Sequence, residues 1–244
     1  MGRLAWLLSF VGLANGLTMA SCATKRLQPL DQGALRASQP RTLVVAEHRS
    51  PAMTAEGPSK EGFNLGYMFG VIGALAVAAG DETANRKRAG WMKRCEIEDP
   101  VEQIRETVVE ALGKTLSLEV IDTDRRTKAT TVEGLIKDHP GADLVLDIRT
   151  TRWGIHRVEA ESSRGLVHFA SAYEGSLQLI DARKSTVVAE GICSIQFSNG
   201  DNPPTIRELL EDDCALLDKG LALSATTCAK RFLTKALGLP PTDP

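Results

Sequence analysis

The chain has 244 residues, with 29 lysines and arginines against 31 aspartates and glutamates, and a formal net charge of -2. This near-neutral balance gives no reason to expect nucleic acid or an acidic polymer as a partner. Aromatic residues make up 5% of the chain, which argues against a surface that stacks sugars or bases. The length suits one well-buried domain of ordinary size.

The N-terminus has the layout of a secretory signal. Arg3 supplies positive charge, an apolar run from Leu4 to Leu17 follows, and small residues lead to the cysteine in Met19-Ala20-Ser21-Cys22. These residues resemble the lipobox of bacterial lipoproteins, with Met19 in place of the usual branched aliphatic residue. The resemblance implies that Cys22 is diacylated, becomes the new N-terminus and is acylated again. A plain signal peptide or an N-terminal membrane helix, with Cys22 incidental, is the alternative.

The residue after the cysteine indicates a location. In lipoproteins of this kind an aspartate there favours retention in the inner membrane, and this chain has Ala23. The resemblance therefore implies a lipid anchor in the outer membrane, with the protein facing the periplasm. More than one acyl chain makes such an anchor effectively stable, because each buried methylene adds about 0.8 kcal/mol.

Composition divides the chain into four regions. Residues 1–21 are the predicted lipoprotein signal peptide, and residues 22–40 are polar and aperiodic, which predicts a flexible tether. Residues 41–95 are expected to hold a first strand, a glycine-rich apolar helix and a basic loop. Residues 96–239 are predicted to form the remainder of a single periplasmic α/β domain.

The apolar helix is predicted over a charge-free segment of eighteen residues, from Phe63 to Gly80. Gly66, Gly70 and Gly73 share one helical face, a seam of small residues that lets two helices approach closely. Eighteen residues are at the lower limit for crossing hydrocarbon. Cations and a tryptophan follow, as at a membrane interface: Arg86, Lys87, Arg88, Trp91, Lys93 and Arg94. The segment predicts either membrane contact or self-association, or else a helix packed within the domain.

Helix and strand signals alternate after residue 96. Asp99-Pro100 with Glu102 predicts the start of a helix. A short strand from Leu118 to Asp122 follows, and then a small helix ends before Pro140. Three strands of alternating apolar residues come next and are expected to form a meander. The predicted fold class is α/β (α+β): a mixed sheet with a three-strand antiparallel meander, covered by helices that include a long C-terminal one.

The long C-terminal helix is predicted to begin at a capping box of Thr205 and Glu208. Cys214 and Cys228 lie on its apolar stripe, and Gly220 is a candidate bend. In a continuous helix the two cysteines stand about 21 Å apart. A disulfide needs Cα atoms within about 7 Å, so these two cysteines cannot pair with each other.

Without Cys22 the chain keeps an even number of cysteines, as expected for disulfides in an oxidising compartment. Two complete pairings survive. Cys193–Cys228 with Cys95–Cys214 is favoured, because Cys193 is predicted on the inward face of a strand beneath the last helix. The crossed pairing stays open, as does a single bridge with Cys95 or Cys214 free. A metal site is disfavoured, because no Cys-x-x-Cys spacing is present.

Catalytic motifs are absent from the sequence, which has no Gly-x-Ser-x-Gly, no Walker loop, no Gly-x-Gly-x-x-Gly and no His-Glu-x-x-His. Asp147, Arg149, Thr151 and Trp153 share one predicted strand face and are candidates for a binding surface. A solvated sheet face explains them equally. The four histidines are isolated: His48, His139, His156 and His168. We expect no cofactor, no metal and no enzymatic activity.

Several segments together resemble a group of uncharacterised predicted lipoproteins of Gram-negative bacteria: the lipobox, the strand from Arg41 to His48, the Met-Phe-Gly run, Ile97-Glu-Asp-Pro100 and the hairpin from Leu177 to Gly191. The resemblance implies no particular activity. We expect a non-catalytic, membrane-anchored periplasmic lipoprotein that binds an envelope partner or forms a homo-oligomer. One alternative is a self-associating, membrane-inserted assembly component acting through residues 63–80. A second is a periplasmic hydrolase with an unrecognised site.

Overall fold

The computed structural model describes residues 29–56, 95–121, 126–158, 168–198 and 203–240. Cys22, the predicted signal peptide and the predicted glycine seam of Gly66, Gly70 and Gly73 lie outside the described residues.

Six strands of the described chain form one mixed sheet. They are β1 (Thr42–Ala46), β2 (Thr54–Glu56), β3 (Glu119–Ile121), β4 (Leu144–Val158), β5 (His168–Asp181) and β6 (Thr186–Phe197). The order across the sheet is β3-β1-β4-β5-β6, with β1 parallel to both of its neighbours and β2 parallel to β4 further along. β4, β5 and β6 form an antiparallel meander. The predicted fold class is confirmed.

Helices cover both faces of this sheet. The α-helices in the described ranges are α1 (Gln32–Ala37), α2 (Val101–Leu116), α3 (Val132–Asp138), α4 (Ile206–Leu210) and α5 (Ala215–Arg231). A π-helical segment, Phe232–Ala236, follows α5 directly. α2 and α5 pack over the main apolar core on one face. α3 contributes Leu135 to a smaller apolar cluster with Val44, Val145 and Ile180 on the other face.

α2 forms where the sequence predicts it. Asp99 Oδ1 accepts a hydrogen bond of 3.0 Å from the Val101 N–H, which satisfies one of the unpaired donors in the first turn. Apolar residues recur every three or four positions and are buried: Val101, Ile104, Val108, Ala111 and Leu112. The helix ends at Ser117, which is left-handed with a φ of 53°.

The predicted C-terminal helix is interrupted. A 3-10 turn over Asp212–Cys214 separates α4 from α5, and the φ angles of Asp212 and Asp213 are 50° and 53°. Aspartate tolerates this left-handed region better than most residues. Gly220 makes no bend and lies inside α5, where an added Cβ would overlap Ser171 Oγ of β5. Glycine at this position therefore serves close packing of helix on sheet.

The folded part of the chain begins before residue 40, so the flexible tether predicted over residues 22–40 extends too far. Leu30 and Leu35 are buried in the main core. The Leu30 N–H donates a hydrogen bond of 2.7 Å to the Ala236 carbonyl. The Gln32 amide donates to the carbonyl of Leu237 at 3.1 Å. Two isolated leucines produce no periodicity, which is why the sequence pattern did not predict this packing.

Candidate functional site

A gap in the pairing of β4 leaves a cleft at one side of the sheet. β1 pairs with β4 as far as Asp147, and β2 resumes the pairing at Gly154. Between these points, the loop from β1 to β2 and the N-terminus of α2 lie beside β4. The cleft has a volume of about 140 Å³ and is lined by His48, Arg49, Ser50, Pro51, Asp99, Val101, Arg105, Arg149 and Thr150. We call it the arginine cleft.

The loop that forms one wall of the arginine cleft is anchored to β4. Trp153 Nε1 donates a hydrogen bond of 2.9 Å to the Pro51 carbonyl. The Thr54 hydroxyl donates one of 3.2 Å to the Trp153 carbonyl. Gly154 has a φ of 137° and lies so close to Thr54 that any Cβ would overlap its backbone. This close approach lets β2 rejoin the sheet directly after the loop.

A buried carboxylate organises the cationic side of the cleft. The side chain of Asp147 is 0% exposed. Its Oδ1 lies 2.8 Å from His48 Nε2, and its Oδ2 lies 2.6 Å from Arg149 Nη2. A buried charge is costly unless it is paired, so Asp147 holds both neighbours in position. The guanidinium of Arg149 is held with one arm on Asp147 while its side chain stays 20% exposed.

A second carboxylate, that of Asp99, links α2 to β4. Thr150 Oγ1 lies 2.7 Å from Asp99 Oδ1 and 3.3 Å from the Tyr173 hydroxyl. Burial raises the pKa of Tyr173 well above its usual range, and the negative charge of Asp99 acts in the same direction. The phenol is therefore a neutral group at physiological pH, and it extends the polar network into the main core.

Arg105 lies at the floor of the cleft, and its side chain is 6% exposed. Its Nη1 donates to Glu102 Oε1 at 2.6 Å, and its Nη2 donates to the Ile148 carbonyl at 3.2 Å. Within the described ranges, Arg105 Nε has no hydrogen-bond partner, and neither has Asp99 Oδ2. One buried donor and one buried acceptor thus remain unused at the same cleft.

Only part of the surface expected on β4 comes together. The register of β4 with β5 shifts at a bulge between Thr150 and Arg152. Asp147 and Arg149 share a face as predicted, whereas Trp153 is buried in the main core on the opposite face. The prediction that Thr151 and Trp153 join them is wrong, because one extra residue in a strand reverses the alternation beyond it.

Several residues of the cleft were not identified from the sequence. His48 is isolated in sequence but contacts Asp147 in space. Arg49 carries no local signal. Arg105 does carry one, because it lies on the apolar face of α2, four residues after Val101 and three before Val108. A charge at a buried helix position is a usable indication of a polar site.

Two disulfides connect the last helix to the rest of the fold. Cys193 of β6 pairs with Cys228 of α5, with their Cα atoms 5.6 Å apart. Cys95 pairs with Cys214, with a Cα separation of 5.5 Å. This is the pairing that the inward position of Cys193 favours. Both bridges lie in the main core. Cys193–Cys228 fixes α5 to the sheet, and Cys95–Cys214 fixes the 3-10 turn before α5 to the segment that precedes α2.

Two further features are absent from the described part of the chain. There, no three histidine, cysteine, aspartate or glutamate side chains are grouped as a metal ion requires. None of the helices in these ranges is long and apolar enough to cross a membrane.

Comparison with known proteins does not assign a family. No family model matches the chain. No curated protein matches it either. Among solved structures, the chain is similar to a protein from Xanthomonas campestris with the DUF330 family model, at 15% identity and a TM-score of 0.36, covering 84% of this chain and 88% of that one.

A second similar structure is a lipoprotein from Neisseria meningitidis. Its identity to this chain is 18% and the TM-score is 0.27, with 75% of this chain and 99% of the other covered. Both TM-scores lie below 0.5, so neither likeness carries an argument about function.

Proposed function

We propose that this chain is a lipid-anchored protein of the bacterial cell envelope. In this proposal Cys22 carries the lipid, the anchor lies in the outer membrane and the folded domain faces the periplasm. The protein acts by binding an envelope partner and not by catalysis. The arginine cleft is its recognition site, and the observation that carries this proposal is the pair of unused buried groups there, Arg105 Nε and Asp99 Oδ2.

Unused buried groups favour recognition for an energetic reason. A buried donor or acceptor without a partner costs about 1–3 kcal/mol. Here Arg105 and Asp99 line a cleft that opens to the surface beside the exposed Arg49. A ligand acceptor that reaches Arg105 Nε supplies the missing hydrogen bond of that donor and recovers its share of this cost. The site is thus destabilising when empty and favourable when occupied, as binding sites are.

The cysteines support the envelope location. Cys95, Cys193, Cys214 and Cys228 are all committed to two bridges. Such bridges persist in the periplasm and are rare in the cytosol, where thiols are kept reduced. Together with the lipobox resemblance at Cys22, they support export followed by anchoring.

The roles of the polar side chains support binding over catalysis. His48 is the one histidine that lines the cleft, and its Nε2 contacts the buried Asp147. Asp147 is itself shared with Arg149. Asp147 therefore fixes the positions of His48 and Arg149 at the cleft. The cleft consequently offers guanidinium donors and not an activated nucleophile.

Replacement of the lipidated cysteine tests the anchor. We expect the wild-type chain and Ser21→Ala, which keeps a small residue before the cysteine, to sediment with membranes. Cys22→Ser should appear in the soluble periplasmic fraction, because no acyl chain can be attached. Continued membrane association of Cys22→Ser would contradict the lipid anchor and would favour membrane contact through residues 63–80.

A further inference from the structure

We infer that the arginine cleft binds a single oxyanion group, a carboxylate or a phosphate, at the end of a larger ligand. This inference rests on the proposed recognition role of the cleft and specifies its ligand chemistry. The observation that carries it is that three arginines, Arg49, Arg105 and Arg149, are among the residues that line one small cleft.

The hydrogen-bonding inventory of the cleft favours an acceptor-rich ligand. A guanidinium has five N–H donors and no acceptor. Among the described residues, Arg149 contacts Asp147 with one arm, Arg105 leaves Nε unused, and Arg49 has no hydrogen bond or ion pair. Against these donors, two buried acceptors near the cleft have no hydrogen bond among the described residues, Asp99 Oδ2 and Asp147 Oδ2, and the second of them lies 2.6 Å from Arg149 Nη2. Donors therefore exceed acceptors, and carboxylate and phosphate oxygens match guanidinium geometry best.

The net charge of the cleft and its neighbours does not by itself favour an anion. The three arginines are balanced by Asp99, Glu102 and Asp147 nearby. The distribution is what matters. Glu102 is 59% exposed on α2, and Asp147 is fully buried with both oxygens in contact with His48 and Arg149. Asp147 is therefore already engaged by its two contacts, whereas Arg49 is exposed at the cleft and has no ion pair among the described residues.

The N-terminus of α2 also favours the binding of an anion at the cleft. α2 is a helix of 16 residues that begins at Val101, which itself lines the cleft. The first turn of a helix carries the positive end of its dipole and attracts anions. The independent observation is the grouping of Arg49, Arg105 and Arg149 along the same cleft.

The volume of the cleft limits the size of the bound group. About 140 Å³ is available, whereas sites for whole small molecules measure about 300–1,000 Å³. One carboxylate or phosphate with a few attached atoms fits, and a nucleotide or an intact cofactor does not. The remainder of the ligand must extend out of the opening past Arg49 and Ser50, which are both exposed.

A titration of the full chain in detergent tests the oxyanion inference, with inorganic phosphate in one arm and acetate in the other at constant ionic strength. The indole N–H of Trp153 is a local reporter, because it donates to the Pro51 carbonyl in the cleft wall. We expect its ¹⁵N resonance, assigned with Trp153→Phe, to shift on titration with at least one of the two ions. Saturation by phosphate or by acetate identifies which oxyanion the cleft prefers.

Arg49→Gln is the decisive variant, because Arg49 is exposed and has no structural role among the described residues. We expect it to weaken binding about tenfold, equivalent to about 1.4 kcal/mol. The matched control is Arg207→Gln, which removes an arginine that is 88% exposed on α4 and paired only with Glu211 in the described chain. Its affinity should equal that of the wild type.

Three results would overturn the inference: no saturable shift with either ion, an unchanged affinity in Arg49→Gln, or an equal loss of affinity in Arg207→Gln. None of them affects the release of Cys22→Ser from membranes, which reports on the anchor alone. If a partner still cross-links through the cleft of the Arg49→Gln variant, the recognition role stands and the proposed oxyanion chemistry of the ligand is contradicted. The ligand chemistry and the proposed function therefore fail separately.

Discussion

The Thr150 hydroxyl lies 2.7 Å from Asp99 Oδ1, and this contact joins the bulged part of β4 to the N-terminus of α2. The same Asp99 oxygen accepts from the Val101 N–H, so one carboxylate oxygen caps the helix and fixes the helix to the sheet. The arginine cleft lies between these two elements. The shape of the cleft therefore depends on the contact between Thr150 and Asp99, and both of these residues line the cleft.

Thr150→Val removes this contact while keeping the shape of the side chain. We expect a loss of about 2 kcal/mol in the free energy of unfolding, because a hydrogen bond to a charged group is lost in a partly buried site. Thr107→Val is the matched control, since the Thr107 hydroxyl is exposed and bonds only the Gln103 carbonyl of its own helix. Urea unfolding measures both. Equal stabilities of the two variants would contradict the link between α2 and β4.

The two disulfides should differ in their contribution to stability. Cys95–Cys214 closes a loop with a sequence separation of 119, and Cys193–Cys228 one of 35. In the chain-entropy description, the longer loop contributes about 1 kcal/mol more. We expect Cys95→Ser/Cys214→Ser to unfold at lower urea than Cys193→Ser/Cys228→Ser. Peptide mapping without reductant checks the pairing first, and a Cys214–Cys228 peptide would contradict the structure.

Gly220→Ala tests the packing of α5 on the sheet. An added Cβ would overlap Ser171 Oγ and stand 3.1 Å from Phe197 Cδ1. We expect a loss of about 2 kcal/mol from overpacking. Gly113→Ala in α2 meets only ordinary contacts, the nearest at 3.7 Å, and should stabilise the protein by about 0.5–1 kcal/mol through helix propensity. If both variants are stabilising, α5 does not approach β5 as described.

Asp143 should make stability depend on acid pH. The backbone N–H of Arg41 lowers the pKa of Asp143 below 3.8, and the Thr42 N–H and the Arg183 charge act in the same direction, while partial burial opposes them. A carboxyl with a lowered pKa in the folded state stabilises the fold above its unfolded pKa. That contribution is lost as pH falls through the lowered value.

The matched comparison uses Asp143→Asn and Glu106→Gln. Glu106 is exposed on α2 and has no hydrogen bond or ion pair among the described residues. We expect Asp143→Asn to be less stable than the wild type at pH 7, and we expect the difference to shrink as the pH falls below the ordinary aspartate pKa of about 3.9. Glu106→Gln should follow the wild type throughout. A constant difference for Asp143→Asn from pH 7 to pH 2.5 would contradict this account.

Local signals explain why the order of elements was predictable. The Asp99 cap, the apolar period of α2 and the capping box of Thr205 with Glu208 are each contained within a few residues. The alternation of apolar residues along β5 was equally clear from the sequence, and the structure places Tyr173, Leu177 and Leu179 in the main core. Such patterns depend on the chain's own geometry and need no knowledge of its neighbours.

The arginine cleft was not predictable in the same way. It exists because β1 stops pairing at Asp147 and β2 resumes at Gly154, which is a relation between strands far apart in sequence. The bulge at Thr150 and Arg152 likewise appears only when β4 is set against β5. The break at Asp212–Cys214 was hidden because the apolar stripe continues across it.

Site-specific photo-cross-linking in intact envelopes tests whether the arginine cleft is the recognition site. A photo-reactive residue replaces Ser50, which is exposed in the cleft wall, or Lys219, which is exposed on α5. We expect a discrete cross-linked species from position 50 that is lost when Arg149→Gln is added and that position 219 does not produce. No species from position 50, or the same species from both positions, would rule out recognition through the cleft.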